Sequence, residues 1–500
     1  MPAVADASLT AQFGALLPYL VVAGGGVLLL LADALSRASR RDHLYLLTVA
    51  VLLGALAAQL FGPEPERTAL LRGMLGCEAY SRYFNLLFLG IALLTATFAT
   101  SVFERAARYR TDFYPLLVFA TLGMMILAAA TDLLTLFLGL ETMSLAVYVL
   151  VGGQRGSLRA SEAGLKYLLL GAFASAFLLF GMGLVYGWAG GTGYADIADG
   201  LRGAGRNLLL LRAGLGLMLV AFAFKIAIVP FHMWTPDVYD GAASFVTGYM
   251  ATGVKAAAFA ALLRFCQLAL PELGGFWWPL LAVLAVVTMI VANLVALAQD
   301  GIKRMLAWSS VAHAGYLMLG VLALLATGRQ GSAATVGPAS GGAVLFYLVA
   351  YSLMNLGAFG VITLLGPDRG EEADRISGYA GLARRQPLVA ASLAVCLLSL
   401  AGIPPTAGFM AKFYVFGAVV KAGLVPLAIW GVVASLISVY YYLRVIVVMY
   451  MQPAGESIHD GRSWETAFAT GLLALLILFL GVWPGGLQRL AEVTFRTLAG

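Results

Sequence analysis

Run after run of about 20 apolar residues, separated by short polar loops, dominates this chain. In hydrocarbon only helices and closed barrels satisfy every backbone hydrogen-bonding group. The runs are continuous rather than alternating in ~10-residue segments, so they predict helices and argue against an outer-membrane barrel. Of the 500 residues, 61% are hydrophobic and 11% are charged. A soluble domain carries about 25% charged residues, so a soluble enzyme is excluded. Disordered, collagen-like and coiled-coil chains fail on the same composition. The fold class expected is an all-α polytopic membrane protein.

The pattern predicts about 14 spans of the length a bilayer requires, near residues 14–35, 44–61, 83–103, 113–130, 132–152, 162–188, 208–230, 240–265, 277–298, 303–326, 342–366, 387–418, 424–450 and 466–483. The shortest linkers are Thr131–Asp132 and Lys421–Gly423. No Lys or Arg precedes the first run, which argues for a retained first helix over a cleaved signal peptide. Arg37, Arg40, Arg41, Arg105, Arg108, Arg110, Arg155, Arg159, Lys303, Arg304, Arg369, Arg375, Arg384 and Arg385 all fall in odd-numbered loops. Basic residues favour the cytoplasmic side, so those loops are expected inside and both termini outside. Arg67, Arg72, Arg202 and Arg206 in even loops make the bias partial. The net charge of +6 is mostly loop arginine at the membrane surface and needs no nucleic-acid partner.

A redox site is not visible. Cys77, Cys266 and Cys396 are too far apart for a disulfide framework or an iron–sulfur spacing. His43, His232, His313 and His459 show no metal-ligand spacing. The glycines at 24–26 and at 181 and 183 lie inside apolar runs, where close helix packing explains them better than a phosphate loop. No cofactor is expected in this chain.

The lysines stand out instead. The 31 basic residues include only six lysines, and Lys166, Lys225, Lys255 and Lys412 lie inside apolar runs. A cation at mid-membrane costs at least ~2.5–3.5 kcal/mol. Arginine stays charged, whereas a buried lysine can titrate, so a proton path uses lysine. The plain alternative is snorkelling, with the ammonium reaching the interface. It weighs most for Lys166, five residues into its span, and least for the other three. Glu141 is the acid deep in a span; its plain alternative is a protonated structural group. His313 reads either as a relay member or as a packing histidine.

Two spans contain proline breaks. Pro230 cannot donate to the carbonyl of Ile226, which is next to Lys225. Pro404 and Pro405 free the carbonyls of Leu400 and Ala401, with Lys412 two turns beyond. Freed backbone is tolerated at membrane depth where it lines protein or a watery cavity. The breaks fall in spans 7 and 12. An odd offset of five inverts the second unit, as inverted repeats do, and on that pattern Lys225 and Lys412 occupy corresponding positions. The expected units are 1–112 (three spans), 113–270 (spans 4–8), 271–451 (spans 9–13) and 452–500 (the last loop and span).

The segments GLETMSLAVYVLVG, SEAGLKYLLLGAFASAFLLFGMGLVYG, FKIAIVPFHMWTPDVYDGA, DGIKRMLAWSSVAHAGYLMLG and LAGIPPTAGFMAKFYVF closely resemble the antiporter-like subunits of respiratory complex I. The likeness runs from about residue 113 to about 450 and leans to the N-type branch. It implies that Glu141 and Lys225 are the family's paired carboxylate and lysine and Lys255 its connecting lysine. Lys412 would be the exit-side group, Lys166 a further path lysine and His313 a relay. It also implies proton pumping in a bacterial plasma-membrane NADH-quinone oxidoreductase. FMN, iron–sulfur clusters and quinone would then belong to partner subunits, alongside M-, L- and K-like membrane neighbours and a peripheral redox arm. Mrp-type cation/proton antiporter subunits and membrane-bound hydrogenase subunits stay open as alternatives, told apart by flavin or nickel in the complex. A mere scaffold gains nothing from buried lysines.

Overall fold

The computed structural model describes residues 9–35, 42–62, 69–103, 112–202, 207–270, 274–327, 333–366, 374–453 and 463–499. The first helices are α1 (Leu9–Leu35), α2 (Asp42–Phe61) and α3 (Ala79–Phe103). Next come α4 (Phe113–Ala129), α5 (Leu133–Val151), α6 (Leu158–Ala189), α7 (Tyr194–Arg202), α8 (Leu209–Ile226), α9 (Trp234–Gly241), α10 (Ser244–Tyr249) and α11 (Lys255–Leu268). The chain continues through α12 (Gly274–Leu297), α13 (Ile302–Thr327), α14 (Ala333–Leu364), α15 (Leu382–Arg385), α16 (Pro387–Ala401) and α17 (Ala407–Lys421). It ends with α18 (Val425–Met451), α19 (Trp464–Val482) and α20 (Gly485–Ala499). Among the described residues, the only strands are a short antiparallel pair, Ala69–Leu70 with Leu75–Gly76, between α2 and α3.

Among the described residues, 12 helical segments are long and apolar enough to cross a membrane, and α4 and α16 are shorter apolar helices. The short linker after α4 separates two helices because Asp132 caps α5, its Oδ1 accepting from the Leu134 N–H at 2.7 Å. α10, α11, α13 and α14 form the buried centre, and α14 packs against α3, α13, α16, α17, α19 and α20. α1, α2, α6, α18 and α19 turn exposed Leu, Val and Phe outward, as lipid-facing helices do. Glycine permits close helix approaches: a Cβ on Gly181 of α6, for example, would lie 2.6 Å from the Gly214 carbonyl of α8.

The sequence reading ended the last span at residue 483 and missed α20. Its signal was present: Leu487, Ala491, Phe495 and Leu498 recur at helical spacing. Ala491, Phe495 and Leu498 are buried, while Leu490 and Val493 are exposed.

A buried row of lysines at two broken helices

At the first break, α8 stops at Ile226 because Ala227 is left-handed, with φ 63°. The Ile228 N–H closes the turn on the Ala223 carbonyl at 2.9 Å. The chain passes Pro230 and restarts at Trp234, whose Nε1 donates to the Phe224 carbonyl at 3.0 Å. Lys225, just before the break, is 3% exposed. Its Nζ donates to Ser144 Oγ at 2.7 Å and to the Tyr148 hydroxyl at 3.3 Å. It also lies 5.2 Å and 5.4 Å from the Tyr148 and Tyr167 ring centres. Both of these hydroxyls are on α5, so Lys225 reaches from α8 to α5.

Glu141, Ser144 and Tyr148 share one face of α5 at i, i+3 and i+7. The Glu141 carboxylate accepts from the Ser175 hydroxyl of α6. No ion pair joins Glu141 to Lys225 among the described residues. The structure brings the two onto one face but leaves hydroxyls as their partners.

Lys255 opens α11 directly after a π turn over Met250–Val254, a local widening often found at functional sites. It is 2% exposed, and its Nζ donates to both the carbonyl and the hydroxyl of Ser310. The Tyr351 ring centre lies 5.6 Å away. One turn along α13, His313 binds the Tyr347 hydroxyl through Nδ1 at 2.7 Å and the Tyr442 hydroxyl through Nε2 at 3.4 Å. His313 is 1% exposed. Beyond it, Tyr316 accepts from Asn293 at 3.1 Å, and the Tyr441 hydroxyl donates to Asn293 at 2.9 Å. Lys412 Nζ sits 5.2 Å from the Tyr316 ring centre. These buried tyrosines were missed in the sequence; their signal was tyrosine at helical spacing within apolar runs, as at Tyr347 and Tyr351.

At the second break, α16 ends at Gly402, left-handed with φ 84°. The Ile403 N–H returns to the Leu398 carbonyl at 3.0 Å. Lys412 on α17 is 5% exposed and donates to the carbonyls of Leu400 at 3.1 Å and Ala401 at 2.9 Å, and to Ser435 Oγ at 2.8 Å. Those two carbonyls are the ones that Pro404 and Pro405 leave without a backbone donor.

The breaks share one geometry, with Ala227 and Ile228 matching Gly402 and Ile403. In that register Lys225 precedes its break and Lys412 follows its own. The expectation that they correspond is therefore corrected: Leu400 matches Lys225, and Asp237 matches Lys412. Pattern alone had matched span with span, not the two halves of each broken helix.

Lys166 is not brought into the row. Its side chain is 41% exposed and ion-paired with Glu162 at 2.7 Å and Asp237 at 2.9 Å. Arg304 joins Asp237 at 3.2 Å. Lys166 is thus held by carboxylates, unlike the three buried lysines. The sequence reading also passed over Arg264 in α11, which is fully buried, paired with Glu78 and bonded to Ser81 Oγ at 2.8 Å. Among the described residues, no group of three or more His, Cys, Asp or Glu side chains is placed to hold a metal.

The family model described as NADH:quinone oxidoreductase/Mrp antiporter, TM, matches residues 130–438, a stretch that holds Glu141 and all the lysines of the row. The NADH-quinone oxidoreductase subunit N of Trichlorobacter lovleyi is 42% identical over 503 residues, covering 99% of both chains. This chain belongs to the NADH-quinone oxidoreductase subunit N family. A chain of respiratory complex I from Thermus thermophilus with bound aureothin superposes with TM-score 0.79 at 36% identity, covering 95% of this chain and 99% of that one. A chain of the Mrp complex from Dietzia sp. DQ12-45-1b reaches TM-score 0.82 at 22% identity, over 98% of each chain. That second likeness establishes a shared fold. Subunit N membership, carried by identity along almost the whole chain, separates this chain from the Mrp branch.

Proposed function

We propose that this chain is the proton-translocating membrane subunit of an NADH-quinone oxidoreductase, and that protons cross its middle on the row Glu141, Lys225, Lys255, His313 and Lys412. The observation that carries the route is the nature of the lysines' partners. Lys225, Lys255 and Lys412 are all at most 5% exposed. Each is held by hydroxyls, carbonyls or both, with no acid in contact among the described residues. A lysine kept for structure at this depth is expected to be neutralised by an acid. Neutral acceptors hold an ammonium and release an amine at modest cost, which suits a group that titrates.

Conformational or electrostatic coupling from the redox reaction would shift these lysines and drive protons across. Electrons travel in other subunits: FMN, the iron–sulfur clusters and quinone belong to the partners, and this chain contributes no redox group. Its neighbours in a bacterial plasma membrane are M-, L- and K-like membrane subunits and the peripheral arm. In this reading α4 and α16 with α17 complete 14 crossings, the units 113–270 and 271–451 are inverted repeats, and both termini are external.

The test is pumping by the whole complex in vesicles. Lys255→Ala is expected to assemble and to lose pumping. Normal proton-to-electron ratios in that assembled variant would remove the row from the proton route.

A further inference from the structure

The helix α6 covers the first break. It packs against α8 and α9, the two halves of the broken helix, and against α5. Its residues Tyr167, Gly171 and Ser175 recur at i, i+4 and i+8, so they share one face, and all three are buried. The Tyr167 ring stacks on Trp234, where the broken helix restarts, with centres 4.5 Å apart. It also stands edge-on to Tyr148, with centres 4.7 Å apart. The Ser175 hydroxyl donates to the Glu141 carboxylate. One face of α6 therefore meets both the tyrosine that holds Lys225 and the carboxylate of Glu141.

Gly171 is the member of that face on which the geometry turns. A Cβ there would lie 2.0 Å from the Tyr148 hydroxyl oxygen and 2.6 Å from its ring carbon Cζ. Ordinary contact begins near 3.4 Å, so the hydroxyl would have to shift by more than about 1 Å. The phenol cannot bend at its tip: the ring is rigid, it is buried, and Tyr167 lies against it. The hydroxyl is 3.3 Å from Lys225 Nζ. A shift of that size either breaks this contact or drives the oxygen into the lysine, and both outcomes change the seat of Lys225.

We propose that this face of α6 is the positioning surface that keeps Glu141 and Lys225 apart, Gly171 by making room for the Tyr148 hydroxyl beside Lys225 and Ser175 by holding the Glu141 carboxylate. The proposal rests on the reading that Glu141 and Lys225 take part in the proton route. Gly171 and Ser175 are positioning residues: neither side chain titrates, and each acts through a neighbour on α5. Lys166, one residue before Tyr167, ties the same helix to Asp237 of α9. With the stack of Tyr167 on Trp234, that ion pair fixes the face against the second half of the broken helix. A movement of α6 relative to α5 alters both holds together.

The experiment measures pumping per assembled complex in vesicles, with assembly read on native gels. Gly171→Ala is expected to lower pumping on the order of tenfold to a hundredfold, the scale of a misplacement of about 1 Å. Gly183→Ala is the control on the same helix: a Cβ there meets nothing within 4 Å, and full pumping is expected. Tyr148→Phe removes the hydroxyl that Gly171 accommodates. It is expected to lose as much as Gly171→Ala, and the double variant no more than either, because both act on one contact. Ser175→Ala is expected to lose roughly tenfold, and Ser175→Thr, which keeps the hydroxyl, to recover most of that loss. If Gly171→Ala fails to assemble, Tyr148→Phe and the contrast between Ser175→Ala and Ser175→Thr decide by the same measure. Full pumping by assembled Gly171→Ala, Tyr148→Phe or Ser175→Ala, or an equal loss in Gly183→Ala, overturns the positioning face and leaves the row intact. Full pumping by Lys225→Ala overturns the row, and the positioning face falls with it.

Discussion

Lys412 Nζ donates to the Ala401 carbonyl at 2.9 Å, across the gap between the two halves of the second broken helix. That oxygen is available because α16 ends at Gly402, which leaves its last carbonyls without intrahelical donors, and Pro405 brings no N–H of its own. With the Leu400 carbonyl and Ser435 Oγ, it gives the ammonium three neutral acceptors on two helices. The break in the helix is therefore a cation seat, and the seat does not require a carboxylate.

Lys412→Ala is expected to assemble and to lose most proton pumping, measured as protons per electron in vesicles. Lys412→Arg is expected to fail as well, since arginine keeps its charge at working pH and does not release the proton. An arginine variant with normal ratios would show that a fixed positive charge is sufficient there.

The two left-handed caps predict opposite effects of alanine and glycine. Ala227 holds φ 63°, which costs an alanine roughly 1–2 kcal/mol relative to a right-handed conformation. Ala227→Gly is therefore expected to raise thermal stability of the assembled complex slightly. Gly402→Ala is expected to do the reverse, because its φ is 84° and a Cβ there would come within 2.9 Å of Lys412 Cδ. It should also lower pumping, since the crowded group is the relay lysine. Melting curves of the purified complex check the first effect and vesicle assays the second. Equal stability of the two variants contradicts the cap geometry.

Topology is open to a direct test. With odd loops inside, a reporter fused after Gly500 is expected to read external, and one near Glu372 cytoplasmic. Both residues lie outside the described ones. The opposite pair of readings breaks both the orientation and the inverted-repeat assignment.

Much of this was legible beforehand because membranes impose simple rules. Twenty apolar residues announce a helix, and a lysine among them announces a problem to be solved, as at Lys225, Lys255 and Lys412. Proline at Pro404 and Pro405 named the freed carbonyls, since a missing N–H is a local property. What solves the lysine problem was less legible. Ser144, Ser310 and Tyr351 meet the lysines from other helices, and contact between helices is not encoded by spacing along one of them. Lys166 and Lys412 look alike in sequence, yet one reaches Glu162 and Asp237 at the surface and the other is sealed in. The left-handed Ala227 had no signal, because alanine rarely adopts that conformation and nothing in FKIAIVP marks it.

The last prediction concerns Glu141 and Lys225. Opposite charges on the two would attract each other appreciably only when they approach. In the structure they are apart, with Lys225 on Ser144 and Tyr148 and Glu141 on Ser175. A switch would use that separation: approach of Lys225 on α8 to Glu141 on α5 favours the charged lysine, and separation lets its proton move on to Lys255. Glu141→Gln and Lys225→Ala are each expected to cripple pumping in assembled complex. Because the two act as one unit, the double variant should be little worse than either single one. A static ion pair between α5 and α8 predicts otherwise: each single change would lower assembly, and the double change would partly restore it. Ser144→Ala separates the readings further. It removes a hydrogen-bond acceptor of Lys225 without touching either titratable side chain. The switch therefore expects reduced pumping from it at normal assembly, while the static pair expects no effect. Normal pumping from assembled Glu141→Gln complex would sink the switch, whatever Ser144→Ala shows.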